Sequence, residues 1–150
     1  MTSEEIMVHL PYSPPFLFVD ELTAISDTGI TGNYTYDKGS YFYEGHFKDN
    51  PITPGVILTE TMAQIGVVSL GILLMSKTDE LADQKAQIAM TSNQIDFFLP
   101  VYPGETVKVI SKKEYFRFNK LKCQVELYNS EEKLVCRGSI SGMINPPLHA

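Results

Sequence analysis

The chain has 150 residues, 43% apolar and 20% charged, the balance of a folded globular domain rather than of a disordered segment. At this length about 70% of the unfolded chain's surface leaves water on folding, so a core needs no metal or disulfide to hold it. Twelve basic against 18 acidic residues give a net charge of −6, and no run of like charge is long enough to act as an arm for nucleic acid or anionic lipid.

In chain order, the first ten residues carry Glu4 and Glu5 but no Lys or Arg, unlike the basic start of a secretory signal, so a cytoplasmic protein is expected. A short helix can precede Leu10-Pro11-Tyr12-Ser13-Pro14-Pro15-Phe16, where each proline removes a donor and biases its predecessor toward extended geometry. Leu22 to Ser26 and Gly29 to Tyr36 read as the two strands of a hairpin about Asp27, Thr28 and Gly29. Thr53-Pro54-Gly55 then opens about twenty residues whose apolar members fall on every face of a 3.6-residue period, which predicts a helix buried all round. Thr53 is the expected N-cap and Pro54 the first helical residue, where its missing N–H has no intrahelical partner to lose. The helix should end near Ser76 and Lys77. Its longest nearly apolar run, Ile65 to Met75, has 11 residues broken by Gly66, Ser69 and Gly71, short of the roughly 20 needed to span a bilayer, and no membrane span is expected.

Thr78 to Lys85 is polar and reads as a surface connection. Ala86 to Phe98 reads as a strand halted by Pro100 and the Pro103-Gly104 turn, and Thr106 to Phe118 runs to another turn at Asn119-Lys120. Leu121, Cys123, Val125 and Leu127 alternate with Lys122, Gln124, Glu126 and Tyr128, the pattern of a strand with one wet face. Asn129 to Lys133 forms a hairpin loop into Leu134 to Ile144, where Gly138, Ser139, Ser141 and Gly142 let a neighbour pack closely. Cys123 and Cys136 form no C-x-x-C pair and are expected to be unbridged core side chains.

With no repeat or linker, residues 1–150 read as one domain. Two strands, one buried helix and about four strands joined by short turns leave no room for right-handed βαβ crossovers. The sheet should therefore be mainly antiparallel and curved around the helix, an α+β arrangement known as the hot-dog fold.

Between Asp49 and Lys77 the only ionisable side chain is Glu60, two turns inside the apolar helix. Desolvation would raise its pKa and leave it a proton donor near neutral pH; a helix-edge or subunit-contact position where it meets solvent is the bland alternative. His46, in Glu44-Gly45-His46-Phe47, lies on the loop that leads to the helix start, while His9 and His149 near the termini are expected to be incidental. The N–H groups of Gly55 and Val56 lack intrahelical acceptors, and Gly55 has no side chain to block a ligand. A base, a shielded acid and two backbone donors suit removal of a proton beside a carbonyl with loss of a neighbouring hydroxyl. That elimination requires no metal or organic cofactor, and none is expected: no H-e-x-x-h-type metal string, G-x-G-x-x-G, G-x-S-x-G or phosphate-binding loop is present.

At these residues the chain resembles the 3-hydroxyacyl-[acyl-carrier-protein] dehydratases of bacterial fatty-acid synthesis. Gly45-His46-Phe47-Lys48-Asp49-Asn50-Pro51-Ile52-Thr53-Pro54-Gly55-Val56 is similar to that family's G-H-F-P-x-x-P-x-x-P-G-V, and Glu60-Thr61-Met62-Ala63-Gln64 to its E-A-M-A-Q. Pro15 to Asp20 and the Pro100 to Gly104 turn add weaker similarity. The resemblance implies His46 as base, Glu60 as acid and Gly55 as donor to the thioester carbonyl, with Val56 beside it and Phe47 in support. It implies a homodimer whose histidine faces the partner's carboxylate, further assembly into trimers of dimers, and an acidic acyl carrier protein as partner. Lys112, Lys113, Arg117, Lys120, Lys122 and Arg137 could attract that partner or simply be solvated strand faces. Gln64, one turn after Glu60, could orient it or merely pack. Lys48 replaces a proline of the family pattern, Tyr12-Ser13-Pro14 its His-Arg-Tyr, and Ile88-Ala89-Met90 lacks the aromatic that often borders the acyl tunnel, which leaves aryl or polyene chains open. Glutamate at position 60 points to dehydration without isomerisation. The alternatives are an acyl thioesterase on the same fold, and a noncatalytic or half-active subunit of a heteromeric dehydratase.

Overall fold

A computed structural model describes residues 1–78 and 87–144. Thr2 caps α1 (Ser3–His9) by accepting the Glu5 N–H on its hydroxyl, and Ile6 buries the inner side of this short helix. The expected hairpin is formed by β1 (Glu21–Ser26) and β2 (Gly29–Thr35). After the long helix α2 (Gly55–Ser76) come β3 (Ile88–Phe97), β4 (Thr106–Arg117), β5 (Lys120–Tyr128) and β6 (Leu134–Ile144). They make one six-stranded sheet of order β1-β2-β4-β5-β6-β3, antiparallel throughout. Alternation sends Val107, Val109, Leu121, Cys123, Val125, Leu127 and Ile140 inward, onto Met62, Ile65, Leu70, Ile72 and Met75 of α2, all fully or almost fully buried. Register shifts in the β1–β2, β3–β6, β4–β5 and β5–β6 pairs supply local bends of the kind a sheet needs to curl about a helix. This is the α+β, hot-dog arrangement.

Four local expectations change. The helix begins at Gly55 with Pro54 in the capping position; Thr53 does not cap it, because its hydroxyl is engaged with that of Tyr43 at 2.6 Å and its N–H donates to the Val101 carbonyl. Nor is α2 buried all round: Val56 is 77% exposed, and Thr59 and Glu60 are only partly covered. At 22 residues α2 is also long and apolar enough to cross a bilayer by length and composition, which the 11-residue run understates, since interrupting Gly and Ser residues barely lower hydropathy. In the fold, 83% of its most apolar window is buried. The β4–β5 turn is centred on Phe118-Asn119 rather than on Asn119-Lys120. The surface connection expected over 78–85 lies, after Thr78, outside the described residues, as do Ala86 and His149.

The middle of α2 departs from α-geometry. Gln64–Val68 is a π-helical turn, and two hydroxyls take carbonyls there: Ser69 donates to the Gln64 carbonyl (2.8 Å) and Ser111, on β4, to that of Gly66 (2.9 Å). A Cβ on Gly66 would stand 3.0 Å from that of Ser111, so glycine lets helix and sheet approach at this turn. Cys123 and Cys136 are free and buried, and burial pushes their thiols up to about 11 and about 12, away from reactive thiolate.

Candidate active site

His46 lies on the loop between a short 3-10 turn (Tyr41–Tyr43) and α2, partly buried. Its Nδ1 is 2.8 Å from the Ile52 carbonyl oxygen. A carbonyl only accepts, so Nδ1 carries the proton and Nε2 is left with a lone pair able to take one. Phe47 packs its ring 4.6 Å from the imidazole and adopts a left-handed backbone, φ 56, in the turn closed by the Asn50 N–H and the Phe47 carbonyl. Such a backbone is uncommon for a bulky residue and places local strain beside the candidate base.

At the start of α2 the Pro54 carbonyl accepts the N–H groups of both Ile57 and Leu58. Among the described residues those of Gly55 and Val56 have no acceptor. A Cβ on Gly55 would lie 3.3 Å from the Phe97 ring, so glycine keeps this approach open. His46, Phe47, Gly55, Phe97 and Phe98 border a common hollow of about 450 Å³. The Val56 side chain is not among its walls and stands in solvent, so this residue can contribute only its N–H.

Glu60 projects elsewhere. It lines a narrow cavity of about 50 Å³ with Tyr12, Val68, Ile88, Met90 and Ser141. Burial pushes its carboxyl above the ordinary carboxylate range, and a hydrogen bond from Gln64 Nε2 to Oε2 (2.9 Å) partly holds it back. Gln64 is fully buried and does more than meet Glu60: its Nε2 also donates to the Phe16 carbonyl (3.0 Å), and its Oε1 accepts the Phe18 N–H (2.8 Å). The proline-rich segment is thereby fastened to α2 one turn beyond the acid. Tyr12, at the head of that segment, was not singled out as a site residue by sequence reasoning. Burial, with the Glu60 charge adding to it, pushes its phenol up to about 12, so it stands beside the carboxyl as a neutral hydroxyl. Its one signal in the sequence is the departure at Tyr12-Ser13-Pro14.

Within a single chain, therefore, Gly55, Phe47 and His46 are brought together, and Gln64 and Glu60 are brought together, but the two groups border different cavities. Three other hollows, of about 700, 610 and 460 Å³, involve neither His46 nor Glu60. Edge strand β3 runs past both sites and is exposed along nearly its whole length. Met90, Phe97, Phe98 and Leu99 add to Phe47 and Val56 an apolar surface left uncovered by the chain's own sheet.

Residues 10–138 match the model of the FabA-like domain family. The chain is 33% identical over 132 residues, 86% of its own length and 87% of the relative's, to the 3-hydroxyacyl-[acyl-carrier-protein] dehydratase FabZ of Anaplasma marginale (strain Florida). It is 36% identical over 107 residues to the enzyme of the same name from Geobacter metallireducens, covering 70% of this chain and 68% of that one. Among solved structures, a chain of the dehydratase heterocomplex ApeI:P from Xenorhabdus doucetiae superposes with a TM-score of 0.75 at 13% identity over 95% of this chain and 91% of that chain. A thioesterase from Haemophilus influenzae gives 0.58 at 15% identity, covering 87% and 82%; both likenesses concern the fold alone. Sequence identity across most of both lengths, on a sheet wrapped about one helix, places the chain in the family of the 3-hydroxyacyl-[acyl-carrier-protein] dehydratases.

Proposed function

We propose that this single-domain chain dehydrates 3-hydroxyacyl thioesters held on acyl carrier protein, releasing water and a trans-2-enoyl thioester in fatty-acid or related biosynthesis. One observation carries the chemistry: the His46 imidazole and the unpaired Gly55 N–H border one hollow, while a carboxyl pushed toward its protonated form stands in a second cavity, placed for another copy to use. His46 Nε2 takes the Cα proton, and the electron pair of that C–H bond becomes the new Cα–Cβ double bond. The N–H groups of Gly55 and Val56 hold the thioester oxygen while it bears enolate charge. The Cβ–O bond breaks as Glu60 gives its proton to the departing hydroxyl, which leaves as water. Gln64 orients the carboxyl, and Phe47 walls the imidazole.

Because His46 and Glu60 border separate cavities of one chain, the working site is built from two copies, the histidine of one facing the carboxyl of the other. The exposed edge of β3 and its apolar neighbours are the surface on which a second copy pairs. The protein works in the cytoplasm as such a homodimer. Incubating it with 3-hydroxyacyl and enoyl thioesters on carrier protein tests the reading: loss or addition of water is expected. Release of free thiol would make it a thioesterase, and silence until a homologous chain is added would make it half of a heteromeric enzyme.

A further inference from the structure

Two polar groups at the cavity that holds Glu60 lack a partner. Gln64 Nε2 occupies Glu60 Oε2, and Oε1 has no partner among the described residues; the Tyr12 hydroxyl, at the same cavity, has none either. Most of the wall around them is apolar, with Val67, Val68, Ile88 and Ile140. Ser141 also borders the cavity, but Ile140 and Gly142 on either side of it face α2, so alternation turns the Ser141 hydroxyl to the outer side of β6, beside Lys122. A polar group drawn out of water without a partner costs free energy. Two of them converging on one small cavity therefore mark a place where a polar group binds.

Both groups are positioned by one buried amide. Gln64 holds the Glu60 carboxyl and, through the Phe16 carbonyl and the Phe18 N–H, fastens the segment that carries Tyr12. Leu10 is buried ahead of Tyr12, and Pro11, Pro14 and Pro15 fix φ along the segment, so the phenol has little freedom to leave the cavity. Burial keeps that phenol protonated far above neutral pH, which makes Tyr12 a hydrogen-bond donor that does not give up its proton. The cavity, about 50 Å³, has room for a hydroxyl group or a water molecule. A hydroxyl oxygen carries two lone pairs, one for each of two donors.

We infer that Tyr12 is a further catalytic residue, whose hydroxyl donates to the 3-hydroxyl oxygen of the substrate and holds it against Glu60 Oε1 while the Cβ–O bond breaks. The proton that moves is the one on Glu60. Tyr12 keeps its own, and the departing water takes one hydrogen from the substrate hydroxyl and one from the carboxyl. The inference rests on the dehydratase reading for the reaction, but the hydroxyl site is measurable by binding alone.

Tyr12→Phe removes the hydroxyl and keeps the ring, so the melting temperature should not change. In the hydration direction the enoyl thioester carries no hydroxyl; kcat should fall about tenfold while KM stays within about twofold. Because the equilibrium constant is fixed, kcat/KM for dehydration should fall by the same factor. Binding is read separately in His46→Ala protein, which lacks the base and leaves the ligand intact, by calorimetry with the 3-hydroxyoctanoyl and octanoyl thioesters of N-acetylcysteamine. The hydroxylated thioester should bind more tightly, and adding Tyr12→Phe should cut that preference about tenfold without weakening the octanoyl thioester. A preference that survives Tyr12→Phe within about twofold, equal weakening of both ligands, or a loss that comes only with a lower melting temperature would overturn the inference. A preference that depends on Tyr12 in a protein whose unaltered form turns over neither thioester would instead count against the dehydratase reading and leave the hydroxyl site standing.

Discussion

His46→Ala is expected to lower the rate of dehydration by about 10²- to 10⁴-fold, the contribution of a positioned general base, without unfolding the protein. The loss follows from the bond the imidazole makes with the Ile52 carbonyl. With Nδ1 committed to the Ile52 carbonyl, Nε2 is the nitrogen with a free lone pair, and alanine removes it. The side chain is only part-buried on a loop, so the core is untouched; far-ultraviolet circular dichroism and the melting temperature should stay close to those of the unaltered protein. His46→Gln sharpens the test, because an amide can donate to the Ile52 carbonyl and keep the loop in place yet cannot accept a proton from carbon. Activity in the glutamine variant comparable to the unaltered protein would mean that His46 positions the loop and another group is the base.

Glu60→Gln should lose turnover on the same scale, since the amide retains the shape and can still accept from Gln64 Nε2 but has no proton to give to the departing hydroxyl. The sign of the pH dependence follows from burial. The folded carboxyl holds its proton more tightly than the unfolded one, so the acid is supplied at low pH and lost as pH rises through its raised pKa. The high-pH limb of the dehydration profile should therefore move when Glu60 is changed to Asp. Stability gives an independent check. A carboxyl whose folded pKa is raised contributes stability below its ordinary value and loses it as pH rises through the raised one, so ionised Glu60 weighs against the fold at neutral pH. Glu60→Gln should thus melt no lower than the unaltered protein at pH 8, which separates loss of chemistry from loss of structure.

Much of this architecture was legible because it rests on short-range patterns. The alternation in β5, the turn residues between β1 and β2, and an apolar stretch too uniform for a surface helix each specify an element locally, and together they leave a sheet around a helix as the economical packing. Glu60 stood out since a single carboxyl in such a helix is conspicuous by its solitude. Contacts between residues distant in sequence were not legible. Thr53 has the composition of an N-cap, yet the Tyr43 hydroxyl claims it across the loop. Gln64 reads as the neighbour of Glu60 one turn on, while its other bonds reach the Phe16 and Phe18 backbone 46 to 48 positions away. The π-turn has no compositional mark, because the hydroxyl of Ser111 that takes the Gly66 carbonyl comes from β4. The turn at Phe118 defied propensity, which favours Asn in its place. An exposed β3 could not be foreseen either, since alternation tells which residues share a face but not whether a strand ends the sheet.

That the base and the acid come from different copies is tested most directly by mixing two inactive chains. His46→Ala and Glu60→Gln, carrying different affinity tags, are produced together, and the mixed dimers are isolated through both tags. Each mixed dimer has one site with both groups intact and one with neither, so it should show about half the unaltered activity per dimer, and randomly paired chains about a quarter. Mixed dimers as inactive as either parent would contradict a shared site and require His46 and Glu60 to act within one chain or not at all.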